Sequence, residues 1–406
     1  MSSHFKPALL CLVFLAAMTL YFQGAANSDF LAVYLAGLSL ANGMPDQVYP
    51  ALIPVFDLSY PDSWRELATA KGVDETTMLY PFIYPPLWAV IASWVAPLIS
   101  LSKVSIGLPV INSALLMGCS WLAWRITRSA VPLTLWLSVG FLTMATTTFG
   151  YVALAQGQPQ ILTTFLILLA IERSRADAPI TAGGCLALAA SIKVYPMLLV
   201  VIWLARKDWR SVASFIGFGV LAIIASVGLA GWPLHQTFLA QIGVISGSVL
   251  VTPLSYNFTA LMTAFTQNVF AASDTFTSTT PSGLSLVNKI ALILALLTAV
   301  VSAARASTDT LYACVWPLLL LAVSFFSPMS WSYHFLSTLA FAPLVFASDR
   351  VLPKMGLAYL VVASSIAVAL VIGDEMPRPH MLFFAGLSSL VALAAAVLTA
   401  RPKSGD

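Results

Sequence analysis

Stretches of about twenty mostly apolar residues, the length a helix needs to cross a bilayer, recur from Pro7 to Ala400 with short polar breaks between them. A water-soluble globule cannot be built from such a chain: 59% of its 406 residues are hydrophobic and only 9% are charged, against roughly a quarter in soluble domains. The expected fold class is all-α, a polytopic helical membrane protein of about ten to thirteen membrane segments in one integral domain over residues 1–406. The net charge is only +3, and Lys and Arg stand in short clusters between apolar runs, which argues against a nucleic-acid partner. Cys11, Cys119, Cys185 and Cys314 lie inside apolar stretches without CxxC spacing and read as small core residues.

Cations set orientation. The first apolar run, Ala8 to Phe22, precedes Gly24-Ala25-Ala26, a possible signal-peptidase site, but small residues also end retained helices and a retained span is expected. An amphipathic stretch follows, Asp29 to Asn42, with Phe30, Val33, Tyr34 and Leu38 at helical spacing. The loop from Gly43 to Tyr80 holds Asp46, Asp57, Asp62, Glu66, Asp74 and Glu75 but only Arg65 and Lys71, and a loop so poor in cations belongs outside. The two outer loops are expected at about residues 24–81 and 232–283, in a multi-pass protein of the inner (plasma) membrane. The run from Ile180 to Ala205 contains Lys193 and Pro196 and is flanked by Arg173 and Arg175 on one side and Arg206, Lys207 and Arg210 on the other. A straight span would strand one of these clusters outside. A re-entrant hairpin with Lys193 at its tip keeps both inside, with the proline breaking the helix at the turn. Gln156-Gly157-Gln158-Pro159 is then an outward tip. Helix counting leaves the side of Arg125 and Arg128 open, puts Arg305, Arg350, Lys354, Arg401 and Lys403 inside, and puts Ser327–His334 and Gly373–His380 outside.

Ionisable groups at membrane depth are costly and point to function. Asp29, directly after the first span, has two readings: a helix N-cap, or a general base at the mouth of a cavity. Lys193, in Ser191-Ile192-Lys193-Val194-Tyr195-Pro196, is a snorkelling lysine or a point charge whose natural counter-ion is phosphate. Gln156 and Gln158 flank a glycine that permits close approach and offer amide groups to a ligand, while Ser255-Tyr256-Asn257-Phe258 adds a polar element in the late loop. In Ser327-Pro328-Met329-Ser330-Trp331-Ser332-Tyr333-His334, an interfacial aromatic belt accounts for Trp331 and Tyr333 but leaves His334 unexplained. No Walker loop, GxSxG, HExxH or Asp-x-Asp occurs, so neither a cofactor nor a metal is expected.

In their order along the chain these elements resemble glycosyltransferase family 87, bacterial GT-C-type mannosyltransferases that use polyprenyl-phosphate sugars. The matching pieces are Asp29-Phe30-x-x-x-Tyr34-x-Ala36 with Gly43 and Tyr49, Tyr84-Pro85-Pro86-Leu87, Gly157-Gln158, Ile192-Lys193-Val194-Tyr195-Pro196, and Ser327-Pro328-x-Ser330-Trp331-x-x-His334. The resemblance implies a GT-C-type fold and inverting transfer of a hexose, mannose above all, from a polyprenyl-phosphate sugar to an envelope glycan or glycolipid acceptor on the outer face. It also implies Asp29 as the catalytic carboxylate, Lys193 and His334 on the donor phosphate, and Tyr84, Gln156, Gln158, Tyr256 and Asn257 at the substrates. The chain departs from the pattern at Tyr256-Asn257-Phe258-Thr259, where the family often has Asn-Gln-Ser, and at Ser332-Tyr333, where it often has an acidic residue or a further histidine. The competing classes are a multi-span transporter or lipid flippase, which usually shows internal repeats not evident here, and a structural membrane subunit, which explains Asp29 and Lys193 poorly.

Overall fold

A computed structural model describes residues 5–267, 276–372 and 379–399, and its apolar stretches are helices, the form in which a lone segment satisfies its own backbone in lipid. In order they are α1 (Phe5–Phe22), α2 (Ser28–Ala41), α3 (Ser63–Ala70), α4 (Pro86–Val95), α5 (Leu101–Thr127), α6 (Leu133–Thr146), α7 (Thr148–Ala155), α8 (Gln160–Arg175) and α9 (Pro179–Ile192). A 3₁₀ turn, Tyr195–Val200, leads into α10 (Val201–Ala205), followed by α11 (Trp209–Ala230), α12 (Trp232–Gly247), β1 (Ser248–Val251), α13 (Phe258–Thr266), β2 (Phe276–Thr279) and α14 (Ser282–Arg305). After α15 (Thr308–Thr310) a π-helical segment continues into α16 (Trp316–Phe326). Short turns around α17 (Leu336–Leu339) precede α18 (Val351–Ile372) and α19 (Pro379–Thr399).

The chain is an all-α polytopic membrane protein. Among the described residues, six helices are long and apolar enough to cross a membrane, and α6 with α7, bent by 65°, makes a seventh. Shorter apolar stretches, including α4, α9 and the limb Tyr195–Ala205, stand where further expected segments lie, and α2 is one more such stretch, in the early loop. These breaks need specific residues: at the α6–α7 bend a Cβ on Gly150 would lie 1.8 Å from the Met144 carbonyl oxygen, so only glycine fits. The two strands among the described residues form one antiparallel ribbon, β1 with β2, in register from Ser248 opposite Thr279 to Val251 opposite Phe276.

Of the full span and the hairpin that the sequence leaves open at Lys193, the structure has the hairpin. Helix α9 ends at Ile192, Lys193 is extended (φ −133°, ψ 135°), and the 3₁₀ turn carries the chain back into α10. The returning limb reaches the level where α8 ended, since Trp203 Nε1 donates to Ser174 Oγ at 2.9 Å. Contacts at that level also fix what helix counting left open. Arg125 pairs with Glu172 at 2.7 Å, Arg175 donates to the Ile126 carbonyl at 2.7 Å, and Arg206 donates to the Ala303 and Ala306 carbonyls, both at 3.3 Å. Arg125, Arg173, Arg175, Arg206 and Arg305 therefore share one end of the molecule, and Arg128 caps α5 there. Arg401, Lys403 and most of Gly373–His380 lie outside the described residues.

At the opposite end the early and late loops meet: the Phe56 N–H donates to Ser248 Oγ at 2.9 Å and Gln241 Nε2 donates to the Pro50 carbonyl at 2.8 Å. Trp64, fully buried, pins α3 to α2 through bonds from its Nε1 to Ser39 Oγ (3.0 Å) and the Gln47 carbonyl (2.8 Å). In cells, single cysteines at Ala176 and Trp209, in a background without the native cysteines, will share one accessibility to an impermeant thiol reagent, and a cysteine at the exposed Met78 will show the opposite one. Opposite labelling of Ala176→Cys and Trp209→Cys would remove the hairpin.

Candidate active site

Four segments converge where the two loops meet, and each is placed by backbone bonds. The first turn of α2 docks on the end of α7: Asn27 N–H donates to the Ala155 carbonyl at 3.2 Å, and the N–H groups of Asp29 and Phe30 both reach the Gln156 carbonyl, at 3.1 and 3.3 Å. First-turn amides of a helix have no partner within it, so Gln156 supplies the acceptor an N-cap side chain would have given. The N-cap position is Asn27, left-handed at φ 51° and making no cap bond with its side chain. Asp29 sits in the first turn, and its carboxyl is not spent on capping the helix. Gly157 must be glycine twice over, being left-handed at φ 59° and so close to α2 that a Cβ would lie 2.8 Å from Asn27 Oδ1.

The late loop and the Ser327–His334 segment pair as a short antiparallel bridge. Tyr256 N–H donates to the Ser330 carbonyl at 3.1 Å and Ser332 N–H to the Leu254 carbonyl at 2.9 Å. The segment then turns through Ser332–Phe335 against α7. Between these parts lies a cleft with about 530 Å³ of empty space. Asp29 is the one carboxylate in its wall, with Tyr80, Gln156, Trp331 and Tyr333 as the other polar or amphipathic members and Phe56, Leu58, Ile83 and Met329 as apolar ones.

A chain of side chains runs inward from Asp29. The Gln158 amide hydrogen-bonds the carboxylate, and Gln158 Oε1 accepts from the Tyr84 hydroxyl at 3.0 Å. Tyr84 is held in turn by Tyr49, whose hydroxyl donates to the Tyr84 carbonyl at 2.7 Å. Beyond Tyr84 stands Lys193, its ammonium 5.8 Å from the centre of the Tyr84 ring and 5.1 Å from that of Tyr333. Aromatic faces attract a cation without neutralising it. His334 Nε2 is 3.4 Å from Lys193 Nζ. His334 Nδ1 lies 3.0 Å from the Trp331 N–H and 3.3 Å from the Trp331 carbonyl oxygen, so the Trp331 backbone holds the ring in place with a partner for either tautomer. Lys193 and His334 therefore stand side by side, an ammonium next to an imidazole, an arrangement to which an anion's oxygen can be added.

Asp29 lies outside the spanning helices. Burial raises its carboxyl to about 7, and the charge of Lys193 and the bond from Gln158 pull it back. The two charges act on each other, yet among the described residues no ion pair within 4.0 Å joins them. A carboxyl that titrates near neutrality is suited to accept a proton in turnover. Gln156 hydrogen-bonds the Tyr80 phenol with its amide while its Oε1 is buried without a partner. That oxygen is an open acceptor in the cleft wall.

The structure thus gathers Asp29, Tyr84, Gln156, Gln158, Lys193 and His334 in one place. Tyr256 and Asn257 are placed otherwise. Tyr256 is buried with its hydroxyl 3.3 Å from Thr148 Oγ1 and its ring against Phe149, and Asn257 caps α13, its Oδ1 accepting from Ala260 N–H at 2.8 Å. Neither lines the cleft, whose wall is formed by Asp29 and Gln156 among the expected residues, with Tyr84, Gln158, Lys193 and His334 standing behind it. Tyr333 is not part of an aromatic belt: it is buried beneath Lys193 and stacks on Trp331 with ring centres 6.4 Å apart. Tyr80 gave no signal in the sequence, being a single tyrosine at the end of a polar loop.

A family model for glycosyltransferase family 87 matches residues 82–328, more than half of the chain. The chain belongs to glycosyltransferase family 87. Membership makes it a glycosyltransferase and decides between the enzyme and transporter readings. The matched stretch of this family 87 chain contains Tyr84, Gln156, Gln158 and Lys193; Asp29 and His334 fall outside it and join them through the fold. No curated protein compared with the chain matches it. The cap assigned to Asn257 has a measurable consequence: Asn257→Ala will cost about 1 kcal/mol of stability, seen as a lower unfolding temperature, and Asn257→Asp, which keeps the cap oxygen but loses the bond from Nδ2 to the Ser330 carbonyl at 3.3 Å, will restore only part of it. Unchanged melting in Asn257→Ala would remove the capping role.

Proposed function

We propose that the cleft transfers a hexose, mannose by the family resemblance, from a polyprenyl-phosphate donor to a hydroxyl of an envelope glycan or glycolipid, with inversion at the anomeric carbon. The observation that carries this reading is the separation of two charges. Asp29 and Lys193 act on each other's charge yet make no ion pair within 4.0 Å, with Gln158 bonded to Tyr84 and the Tyr84 ring 5.8 Å from the ammonium. A base and a cation kept from neutralising each other suit a reaction in which a proton leaves one side of the substrate and negative charge develops on the other.

In this scheme the acceptor hydroxyl gives its proton to Asp29 as its oxygen bonds to the anomeric carbon. The bond from that carbon to the phosphate oxygen breaks on the opposite face. The phosphate leaves with one more negative charge, which the Lys193 ammonium and the His334 imidazole receive. The Gln156 Oε1 acceptor stands ready for a sugar hydroxyl. By the positive-inside rule the arginine-rich end faces the cytoplasm, which puts the cleft on the outer side of the inner membrane, level with the headgroup of a lipid-linked donor.

Asp29→Asn removes the basic carboxylate at constant shape, and transfer will fall by roughly two to four orders of magnitude with folding preserved. Near-normal turnover would end the base assignment. Because the base must be ionised, wild-type turnover will be full above pH 7 and lost as pH falls through about 7, the value to which burial raises Asp29. In Lys193→Met the cation that pulls Asp29 down is gone, so the midpoint of the residual activity will move to higher pH; an unmoved midpoint would show that the two charges are not coupled.

Lys193 and His334 will also fail differently. Lys193→Met will weaken both donor binding and the chemical step, while His334→Gln keeps a donor and will spare binding more than turnover. Donor affinity and single-turnover rate on purified monodisperse variants, with a polyprenyl-phosphate hexose as probe, decide this. Wild-type affinity and rate in Lys193→Met would remove the phosphate role.

A further inference from the structure

At the end of the molecule opposite the cleft, the last turns of α5 and α8 close on a second concavity. Trp124, Arg125, Arg128, Ser129, Glu172 and Arg175 line about 720 Å³ of empty space there. Arginines in the last turn of a helix answer its dipole and the positive-inside rule, which would account for a few scattered cations. Three features go further. The carboxylates are already taken: Glu172 binds Arg125 at 2.7 Å and Arg173 through its other oxygen, and Asp309 binds Arg175 Nη2 at 2.6 Å. Arg128, the left-handed cap of α5 at φ 46°, has no carboxylate partner among the described residues. The Arg175 side chain is only 4% exposed, and its Nε–H is buried without an acceptor. A buried donor left unpaired is costly, and the wall it belongs to has cationic charge to spare.

We propose that this concavity holds the phosphate group of an anionic phospholipid from the adjoining leaflet. Guanidinium groups match phosphate oxygens in planar, forked geometry, and a basic pocket between membrane helices is the form such headgroup sites take. A free phosphate has the same chemistry, but the surroundings favour a lipid. Trp121, one turn from Arg125 toward the membrane interior, lies under that guanidinium at 4.8 Å and is 41% exposed, extending the site into the apolar zone where an acyl chain lies. Trp124 is fixed at the rim by the bond from its Nε1 to the Val131 carbonyl at 3.0 Å.

The full chain in detergent is titrated with short-chain phosphatidylglycerol, and in parallel with short-chain phosphatidylcholine and with inorganic phosphate, following bound lipid by native mass spectrometry and the unfolding temperature. Phosphatidylglycerol will bind and raise the unfolding temperature, and the other two will not. Arg128→Asn removes the charge with a residue at ease in the left-handed region and will weaken the apparent affinity about five-fold. Arg125→Gln, which leaves Glu172 its second arginine, repeats the measurement from the other wall and will weaken it likewise. Arg350→Gln, an exposed arginine outside the concavity, will leave it unchanged. An equal response to inorganic phosphate would make this a free-anion site and overturn the lipid. An equal response to phosphatidylcholine, or equal losses in Arg350→Gln and Arg128→Asn, would reduce it to diffuse surface charge and overturn the site.

Discussion

An ammonium group held at the turn of a hairpin inside an apolar protein is the constraint around which the cleft end of the molecule is arranged. Lys193 cannot be left in hydrocarbon, and it is given no carboxylate within ion-pair distance among the described residues. It rests instead on the faces of Tyr84 and Tyr333 and beside the His334 ring. These partners stabilise a cation while leaving its charge available. To supply them, the chain must bring the segment before α4 and the Ser327–His334 segment to the tip of the α9–α10 hairpin. The cleft is what remains between those segments and the first turn of α2.

The broken helices follow from the same economy. Backbone that leaves helical form at membrane depth must find partners inside the protein. The α7–α8 turn gives the Gln156 carbonyl to α2, the late loop exchanges backbone bonds with Ser330 and Ser332, and Ser324 Oγ donates to the His334 carbonyl at 3.0 Å. Each bond that repairs a break also fixes a side chain of the site. Gly157 permits this at the α2 contact because any Cβ would separate the two segments. A membrane glycosyltransferase of family 87 thus builds its cleft from half-spans and turns, while the long helices α1, α5, α11 and α14 present mostly apolar surface outward.

The sequence by itself determined the membrane class, because helical stretches of bilayer length follow from composition alone. It narrowed the stretch around Lys193 and Pro196 to a full span or a hairpin, since the flanking cation clusters can share one side of a membrane only if the chain returns, and the structure chose the hairpin. Asp29 and Lys193 stood out because ionisable groups are scarce in such a chain and each needs a reason. Tertiary structure alone decided which polar residues meet. Asn257 and Gln158 look alike in sequence, as amides beside a helix start, yet one closes α13 and the other links Asp29 to Tyr84. Trp331 and Tyr333 look like an interfacial belt and prove to be the wall beneath a cation, and Tyr80 enters the site with no mark in its own segment. The side of Arg125, open to helix counting, was settled by its bond to Glu172. The physical reason runs through these cases: local sequence fixes what a segment can be, whereas a side chain's partner often lies on a segment tens to more than a hundred residues away, brought near only when the broken helices find acceptors for their own backbone.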